Sequence, residues 1–342
     1  MQVVASTQHE LHSPQTELYG GRFVTPFESP IRWTHVHEAL VSAGHGPIVE
    51  PDELDLDRVG RVHDSDYLDF LESAWDRWIS AGHMGEGIPS VFPARRMQQR
   101  RPDDIEGQMG YHCFAIETSI VAGTWRAACS SAAVALTAQR MVAEGNDTFA
   151  LCRPPGHHAA ADLYGGYCFL NNAAIAAQAF IDDGRERVAI LDVDFHHGNG
   201  TQDIFYERSD VLFASVHGDP NDAFPHFLGY ADETGSGPGE GFNLNYPLPP
   251  ATQYERWSEA LDHALDRIQA HRPEALVVSL GVDTFENDPI SFFGLKTGDF
   301  SDYGSRIGRL DLPTQFVMEG GYAVDEIGLN VVAVLDGHLN CD

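Results

Sequence analysis

The chain has 342 residues, of which 43% are hydrophobic, so it can bury a large core in one or two domains. Its 51 acidic and 21 basic residues give a formal net charge of −30, which disfavours nucleic acid as a partner and favours cationic ligands, although adaptation to salt explains the same charge equally well. No stretch approaches the roughly 18 apolar residues of a membrane span, and the N-terminus lacks the regions of a secretory signal, so we expect neither membrane insertion nor export.

Short extended segments alternate with helical segments along the chain. Helices are predicted at residues 30–42, 65–79, 127–144, 171–182, 201–206, 253–270, 302–310 and 325–336. Strands are predicted at the N-terminus and at residues 148–152, 188–193, 211–216, 275–282 and 314–318. The first helix has clear boundaries, because Ser29 is a capping residue, Pro30 suits the first helical position and Gly44 ends the pattern. This alternation predicts a single α/β domain over residues 1–342, with a doubly wound, mostly parallel sheet flanked by helices.

The helical pattern breaks down between residues 81 and 104, where Gly, Pro, Arg and Gln dominate. A loop of this length inside a compact domain is usually functional or an interaction element. It carries four arginines in an otherwise acidic protein: Arg95, Arg96, Arg100 and Arg101. Their charge favours contact with an acidic surface, such as that of a second subunit; a solvated loop is the alternative.

The five cysteines do not form a disulfide or metal pattern. They are Cys113, Cys129, Cys152, Cys168 and Cys341, an odd number without metal-binding spacing. We therefore expect reduced thiols in a cytoplasmic protein.

Two carboxylates and an imidazole follow two of the predicted strands. Asp194 and His196 come directly after strand 188–193, and because they are two residues apart on an extended segment, their side chains point to the same side. Asp283 follows strand 275–282 in the same way. Three protein ligands leave positions open for water and substrate, which is the catalytic pattern for zinc. A turn or an ion pair is the ordinary explanation of an Asp-x-His triplet.

Further polar groups follow two other strands. His157 and His158 come after strand 148–152, and imidazoles that are neutral near pH 7 suit a general base and a general acid. Tyr322 follows strand 314–318 and two glycines, where its hydroxyl can donate to a developing oxyanion. Because sites of parallel α/β sheets form at the carboxyl ends of strands, these groups are expected to meet.

These residues belong to longer motifs that resemble the zinc-dependent deacetylases of the arginase–deacetylase superfamily, and most closely its bacterial acetylpolyamine amidohydrolase branch. The motifs occur in the family's order over nearly the whole chain: residues 16–21, 104–107, 152–158, 165–169, 190–201, 217–220, 224–230, 280–284 and 319–322. The resemblance implies the arginase–deacetylase fold and zinc-dependent hydrolysis of an acetyl amide. It also implies a homodimer, in which the 81–104 insertion crosses the interface and narrows the pocket.

The resemblance also implies the roles of the catalytic side chains. His158 is the general base and also the acid, while His157 is mainly its electrostatic partner. Asp192 is placed to orient His157. Asn199 stands where many histone deacetylases have an aspartate that orients the second histidine, so His158 should be less basic here than in those enzymes.

Further positions are matched to substrate and to potassium. Substrate contacts are implied at Tyr167, Phe224, Ile290, Glu106, Glu117 and, more weakly, Tyr19. The aromatic pair suits a methylene chain, and the two glutamates suit a distal ammonium. Family potassium sites match the backbone carbonyls of Asp192, Asp194 and His196 with the Ser215 side chain, and the backbone oxygens of Phe205, Arg208, Val211 and Phe242.

Several functions stay open at this point. The leading hypothesis is an acetylpolyamine deacetylase with a small cationic substrate, and the runner-up is a protein acetyl-lysine deacetylase that uses the same site. A non-catalytic polyamine-binding module would not need the base and the oxyanion donor. A bridged manganese pair, as in arginase, fits one histidine and two aspartates less well than a single zinc, for which iron(II) is an alternative.

Overall fold

An eight-stranded sheet forms the centre of the computed structural model, which describes residues 1–94 and 98–341. The strands are β1 (Gln2–Ala5), β2 (Glu17–Tyr19), β3 (Arg22–Val24), β4 (Ile48–Val49), β5 (Thr148–Leu151), β6 (Val188–Asp192), β7 (Val211–Gly218), β8 (Asn243–Leu248), β9 (Ala275–Leu280) and β10 (Thr314–Met318). The sheet order is β4-β1-β5-β10-β9-β6-β7-β8, and every pairing in it is parallel. Strands β2 and β3 form a separate antiparallel hairpin.

Helices cover both faces of this sheet. They are α1 (Pro30–Ala43), α2 (Leu56–Val59), α3 (Ser65–Ser80), α4 (Ile105–Tyr111), α5 (Thr124–Ala143), α6 (Asn172–Asp182), α7 (Asn199–Phe205), α8 (Tyr254–His271), α9 (Thr297–Gly308) and α10 (Val324–Leu339). One buried apolar cluster joins the sheet to α3, α5 and α6, and a second joins it to α1, α8, α9 and α10. Strand residues alternate between the two clusters: Val188 and Ile190 join the first, Ala189 and Leu191 the second. Strands that are buried on both sides form continuous apolar runs, which is how the sequence identified them.

The predicted α/β class with a doubly wound, mostly parallel sheet is confirmed. Strand 314–318 has the predicted bounds, and α1 ends as expected, because Gly44 adopts a left-handed conformation with φ 80°. Ser29 stands at the N-cap of α1, but its side chain makes no capping hydrogen bond.

Several elements differ from the prediction: helices α2 and α4 and strands β2, β3, β4 and β8 were not predicted, and some predicted helices have other bounds. Strand β8 was not predicted, because asparagine is disfavoured in strands and Pro247 argues against a central strand. Strand β8 lies at the sheet edge, where proline is tolerated. Helix α9 begins at Thr297 rather than at 302. Gly298 and Asp299 weaken the helical pattern there, but the Asp299 carboxylate accepts the Lys296 N–H and stabilises the first turn.

The 81–104 segment contains no regular helix or strand among its described residues. It is attached to the rest of the chain by an antiparallel bridge between Gly87 and Ile120 and by a hydrogen bond from the Trp78 indole to the Gly85 carbonyl. Arg95 and Arg96 lie outside the described residues. Arg101 pairs with Asp66 of α3 in the same chain at 2.6 Å, so this arginine is not free for a partner's acidic surface. Across the described residues, no helix combines the length and the apolar character that a membrane crossing requires.

Candidate active site

The three predicted metal ligands meet beside the carboxyl ends of neighbouring strands β6 and β9. Nδ1 of His196 lies 3.0 Å from Oδ2 of Asp283 and 3.3 Å from Oδ1 of Asp194. One potential ligand atom from each residue lies within 4.8 Å of the other two, and all three residues are buried. Two carboxylate oxygens and one imidazole nitrogen suit a divalent transition metal, so the arrangement fits the predicted zinc site.

The surrounding backbone fixes the two carboxylates. The N–H of Gly320 donates to Oδ2 of Asp194 at 2.7 Å, and the N–H of Phe195 donates to Oδ1 of Asp283 at 2.8 Å. A Cβ atom at Gly320 would lie 2.5 Å from both Oδ2 atoms, so only glycine fits there. Burial, and then the charge of Asp194, raise the pKa of Asp283 to about 7. A cation between these carboxylates relieves that repulsion, as expected for a metal site.

His158 is held with one ring nitrogen ready to accept a proton. Its Nδ1 lies 2.7 Å from Oδ1 of Asn199, and the Asn199 side-chain amide donates to the His158 carbonyl at 3.4 Å. That second bond orients the amide, so the His158 Nδ1–H donates and its Nε2 keeps a lone pair. Burial, and then the neighbouring His157 and His196, hold the pKa of His158 well below 6.5. His158 is therefore a neutral imidazole on the lining of the pocket.

His157 has the opposite charge preference, although its ring centroid is only 4.0 Å from that of His158. Its Nδ1 lies 3.0 Å from Oδ2 of Asp192, and its Nε2 lies 3.8 Å from Oδ1 of Asp194. Burial lowers the pKa of His157, but Asp194 and Asp192 outweigh burial and raise it to about 10. Two adjacent histidines with pKa values pushed apart are typical of a site that needs one base and one fixed positive charge.

Tyr322 is positioned from two sides. Its N–H donates to Oδ2 of Asp288 at 2.7 Å, and the guanidinium carbon of Arg32 lies 4.7 Å from the centroid of its ring. Arg32 also donates to the carbonyls of Gly321 and Glu319, each at 2.6 Å. Burial raises the pKa of Tyr322 well above 10, so its hydroxyl stays protonated and can donate a hydrogen bond.

A pocket of about 290 Å³ leads to these groups, and His158, His196 and Tyr322 all line it. Five of the six predicted substrate residues also line it: Tyr19, Glu117, Tyr167, Phe224 and Ile290. Glu106 does not line this pocket; it is exposed in the first turn of α4, so its predicted contact with substrate stays a prediction.

Three acidic residues near the site had no predicted role. Oε2 of Glu319 accepts hydrogen bonds from the N–H groups of Gly156 and His157. Glu319 therefore connects the end of β10 to the segment that carries His157 and His158. Asp288 anchors Tyr322, as described above, and Glu17 lines the pocket and accepts the Tyr167 hydroxyl at 2.8 Å. Glu17 and Glu319 stand within the motifs that carry the family resemblance, and Asp288 stands two residues before Ile290, but the partners of all three are distant in sequence.

A second group of potential ligands lies beside the first. His157, Cys168 and Glu319 offer ligand atoms within 4.8 Å of one another, and all three are buried. Each of them already has another role or partner: His157 pairs with Asp192, Cys168 donates to the Gly166 carbonyl, and Glu319 binds backbone N–H groups. We therefore assign no ion to this group.

The predicted potassium positions lie on neighbouring parts of the fold. Asp192 and Ser215 are register partners in β6 and β7, and the Ser215 hydroxyl lies 2.8 Å from Nδ1 of His217. Phe205, Arg208 and Val211 lie along the connection from α7 to β7, and the Phe242 carbonyl accepts the Phe213 N–H. The potassium assignments stay predictions, because backbone-carbonyl sites have no side-chain signature.

Comparison with known proteins gives consistent matches over the whole chain. A family model for the histone deacetylase domain matches residues 26–338. The chain is 57% identical over 338 residues to acetylpolyamine amidohydrolase from Mycoplana ramosa, covering 98% of this chain and 99% of that protein. It is 54% identical over 338 residues to acetylpolyamine amidohydrolase 1 from Pseudomonas aeruginosa, covering 98% of each. The crystal structure of acetylpolyamine aminohydrolase from Burkholderia pseudomallei superposes with a TM-score of 0.95 at 39% identity, covering 100% of this chain and 99% of that one.

Proposed function

Since the chain belongs to the family of hydrolytic deacetylases with a histone deacetylase domain, we propose that it hydrolyses the acetyl amide of acetylated polyamines. The substrates in this class are acetylputrescine, acetylcadaverine and acetylspermidine, and the products are acetate and the free amine. One observation carries the proposal: one pocket is lined by His158, Tyr322 and the metal-ligand candidate His196, and also by two carboxylates, Glu17 and Glu117. An ammonium group on a short methylene chain is complementary to such a pocket.

Asp194, His196 and Asp283 would hold one zinc ion, with iron(II) as the alternative. When bound, such an ion polarises an acetyl carbonyl and lowers the pKa of water toward about 7. We also propose potassium at the positions matched to it in the sequence, where it would be structural. Five free cysteines support a reducing, cytoplasmic setting.

The protein side chains divide the proton transfers between them. Nε2 of neutral His158 takes a proton from the water that attacks the acetyl carbon. Asn199 holds the ring in the orientation that this transfer needs, while positively charged His157 stabilises the negative charge that develops nearby. The Tyr322 hydroxyl donates to the oxyanion, and preorganised donors of this kind are usually a large part of catalysis. His158 then returns its proton to the leaving amine.

The pocket wall accounts for the proposed substrate class. The rings of Tyr167 and Phe224 enclose a methylene chain, for which aromatic faces are suitable contacts. Burial raises the pKa of both Glu17 and Glu117, because it removes water from their carboxylates. A bound cation therefore stabilises the ionised form of each carboxylate. A neutral acetylated alkylamine lacks that attraction.

The test of this function is a steady-state comparison of acetylputrescine, acetylspermidine and an acetyl-lysine peptide with the wild-type enzyme. We expect kcat/KM for the acetylpolyamines to exceed that for the peptide by about 10- to 100-fold, the range of one hydrogen bond to a charged group. Preference for the peptide would instead support protein deacetylation. Binding of acetylputrescine without release of acetate would identify a non-catalytic binding module.

A prediction about pH follows from the Asn199 contact. Asn199→Asp places a negative charge beside Nδ1 of His158 and should raise the pKa of that imidazole by about 1–3 units. His158 acts as a base only when its imidazole is neutral. With a raised pKa the imidazole becomes protonated at a higher pH, so activity is lost earlier as the pH falls. The acidic limb of the kcat/KM profile should therefore move to higher pH, while activity well above that limb is retained. If the acidic limb did not move, the group whose titration controls the rate would not be His158.

We further propose a homodimer formed through the 81–104 loop. Apolar side chains are exposed on this loop, at Met84 (94%), Val91 (57%) and Phe92 (43%). Several exposed apolar side chains on one loop are typical of protein contacts. Arg100 is also exposed, and its positive charge suits an acidic partner surface.

A further inference from the structure

Glu86, on the 81–104 loop, binds two chain segments that are far apart in sequence. Its Oε1 accepts the N–H of Gln15, and its Oε2 accepts the hydroxyls of Thr16 at 3.3 Å and Ser119 at 3.0 Å. Ser119 is buried, so its contact with Glu86 is partly buried, whereas the contacts of Glu86 with Gln15 and Thr16 are exposed. Glu86 thus connects the residues just before the Glu17–Tyr19 strand to the residues just after Glu117.

The first segment leads to the phenol of a pocket wall residue. Thr16 is followed directly by Glu17, which is buried. Oε1 of Glu17 accepts the Tyr167 hydroxyl at 2.8 Å, and its Oε2 accepts the Phe27 N–H at 3.0 Å. The position of Glu17 therefore sets the position of the outer end of the Tyr167 side chain.

The second segment leads to the backbone of the same tyrosine. Ser119 follows Thr118, whose hydroxyl oxygen accepts the Tyr167 N–H at 2.7 Å. Oε1 of Glu117 accepts the Gly166 N–H at 2.7 Å and the Thr118 hydroxyl at 3.1 Å. Residues 117 and 118 therefore fix the backbone on which Tyr167 stands.

Together these contacts close a ring: Glu86, Thr16–Glu17, Tyr167, Thr118–Ser119 and back to Glu86. Tyr167 has a φ of 66°, a left-handed conformation that is unfavourable for a bulky residue and that persists only where neighbours enforce it. The ring supplies that enforcement from both ends of the residue. It also connects the two segments that carry the pocket-wall carboxylates Glu17 and Glu117.

We infer that Glu86 is a positioning residue that determines specificity for cationic substrates, by holding Glu17 and Glu117 at the spacing that an ammonium group requires. The inference rests on the proposed function, because it concerns recognition of the amine end of that substrate. Glu86 does not line the pocket itself, so it acts through the ring and not by touching the substrate.

The experiment compares two substrates of equal chain length, N-acetylputrescine and N-acetylbutylamine, which differ by one ammonium group. Glu86→Gln should raise KM for acetylputrescine about 10-fold, because one hydrogen bond to a charged group is lost. The value of kcat should change less than about threefold, and kcat/KM for acetylbutylamine should change little, because metal ligands, base and oxyanion donor are untouched. Glu259→Gln is the control, since it removes an identical charge from an exposed position on α8.

A second variant tests the closed ring of hydrogen bonds itself, and it keeps the inference testable if Glu86→Gln folds poorly. Ser119→Ala removes one donor to Glu86 and should shift KM in the same direction by a smaller factor. The double variant should be no worse than Glu86→Gln alone, because both act through one contact. Equal losses for the charged and neutral substrates, or additive losses in the double variant, would overturn the inference. A wild-type enzyme that does not hydrolyse acetylputrescine would instead refute the proposed function, and that outcome is seen before any variant is made.

Discussion

Tyr322→Phe should lower kcat for acetylputrescine by about 100- to 1000-fold, which is the usual loss when one oxyanion donor is removed. KM and metal content should stay close to wild type, because the ring, its cation–π contact with Arg32 and the Asp288 anchor on its backbone all remain. The large effect is expected because Tyr322 is buried and lines the pocket, so water cannot easily replace its hydroxyl.

Steady-state kinetics and metal analysis on the same preparation check this expectation. Tyr254→Phe is a suitable control, since it removes a phenol that donates to Asp302, and neither residue lines the pocket. If Tyr322→Phe kept more than about a tenth of wild-type kcat, the hydroxyl would not be the oxyanion donor that the mechanism needs.

Asp283→Ala should abolish both metal binding and turnover. Loss of a residue that only hydrogen-bonds to a metal ligand already lowers metal affinity by about 10- to 100-fold. Loss of one of the three ligands themselves should therefore lower metal affinity further. The remaining pair, Asp194 and His196, would still lie 3.3 Å apart but would no longer surround a site.

Mass spectrometry of metal content after dialysis measures the first effect, and acetate release measures the second. We expect one zinc per wild-type chain and less than about a tenth of that in the variant. Asp266→Ala, an exposed change on α8, controls for loss of a carboxylate as such. Full metal content and turnover in Asp283→Ala would show that the ion is held elsewhere.

The fold and the family were predictable because their signals are local. A buried parallel strand is a short apolar run, and the residue that follows it lies at the edge where sites form, so Asp194, Asp283 and Tyr322 could be placed from sequence. The comparisons confirm the family resemblance that these motifs carried. Strand β8 was missed because edge strands tolerate the polar residues and the proline that argue against strand elsewhere.

The supporting residues were not predictable, because their partners are set by tertiary structure. Glu86 and Thr16 are 70 residues apart, and Glu17 and Tyr167 are 150 apart. No spacing rule connects such pairs. Arg101 is a further example. Its charge indicated a partner on a second subunit, but it forms an ion pair with Asp66 of its own chain.

The position of β10 in the sheet affects when the protein can finish folding during its synthesis. The last strand in sequence lies in the interior of the sheet, where Phe316 pairs with Phe149 of β5 on one side and with Val278 of β9 on the other. Until residues 314–318 leave the ribosome, strands β4-β1-β5 and strands β9-β6-β7-β8 have no strand between them and present unpaired edges. His158 follows β5 in the first part, whereas Asp194, His196 and Asp283 follow β6 and β9 in the second. A nascent chain can thus contain every proposed metal ligand and the proposed base and still lack activity, because the same late segment joins the two parts and carries Tyr322 behind it.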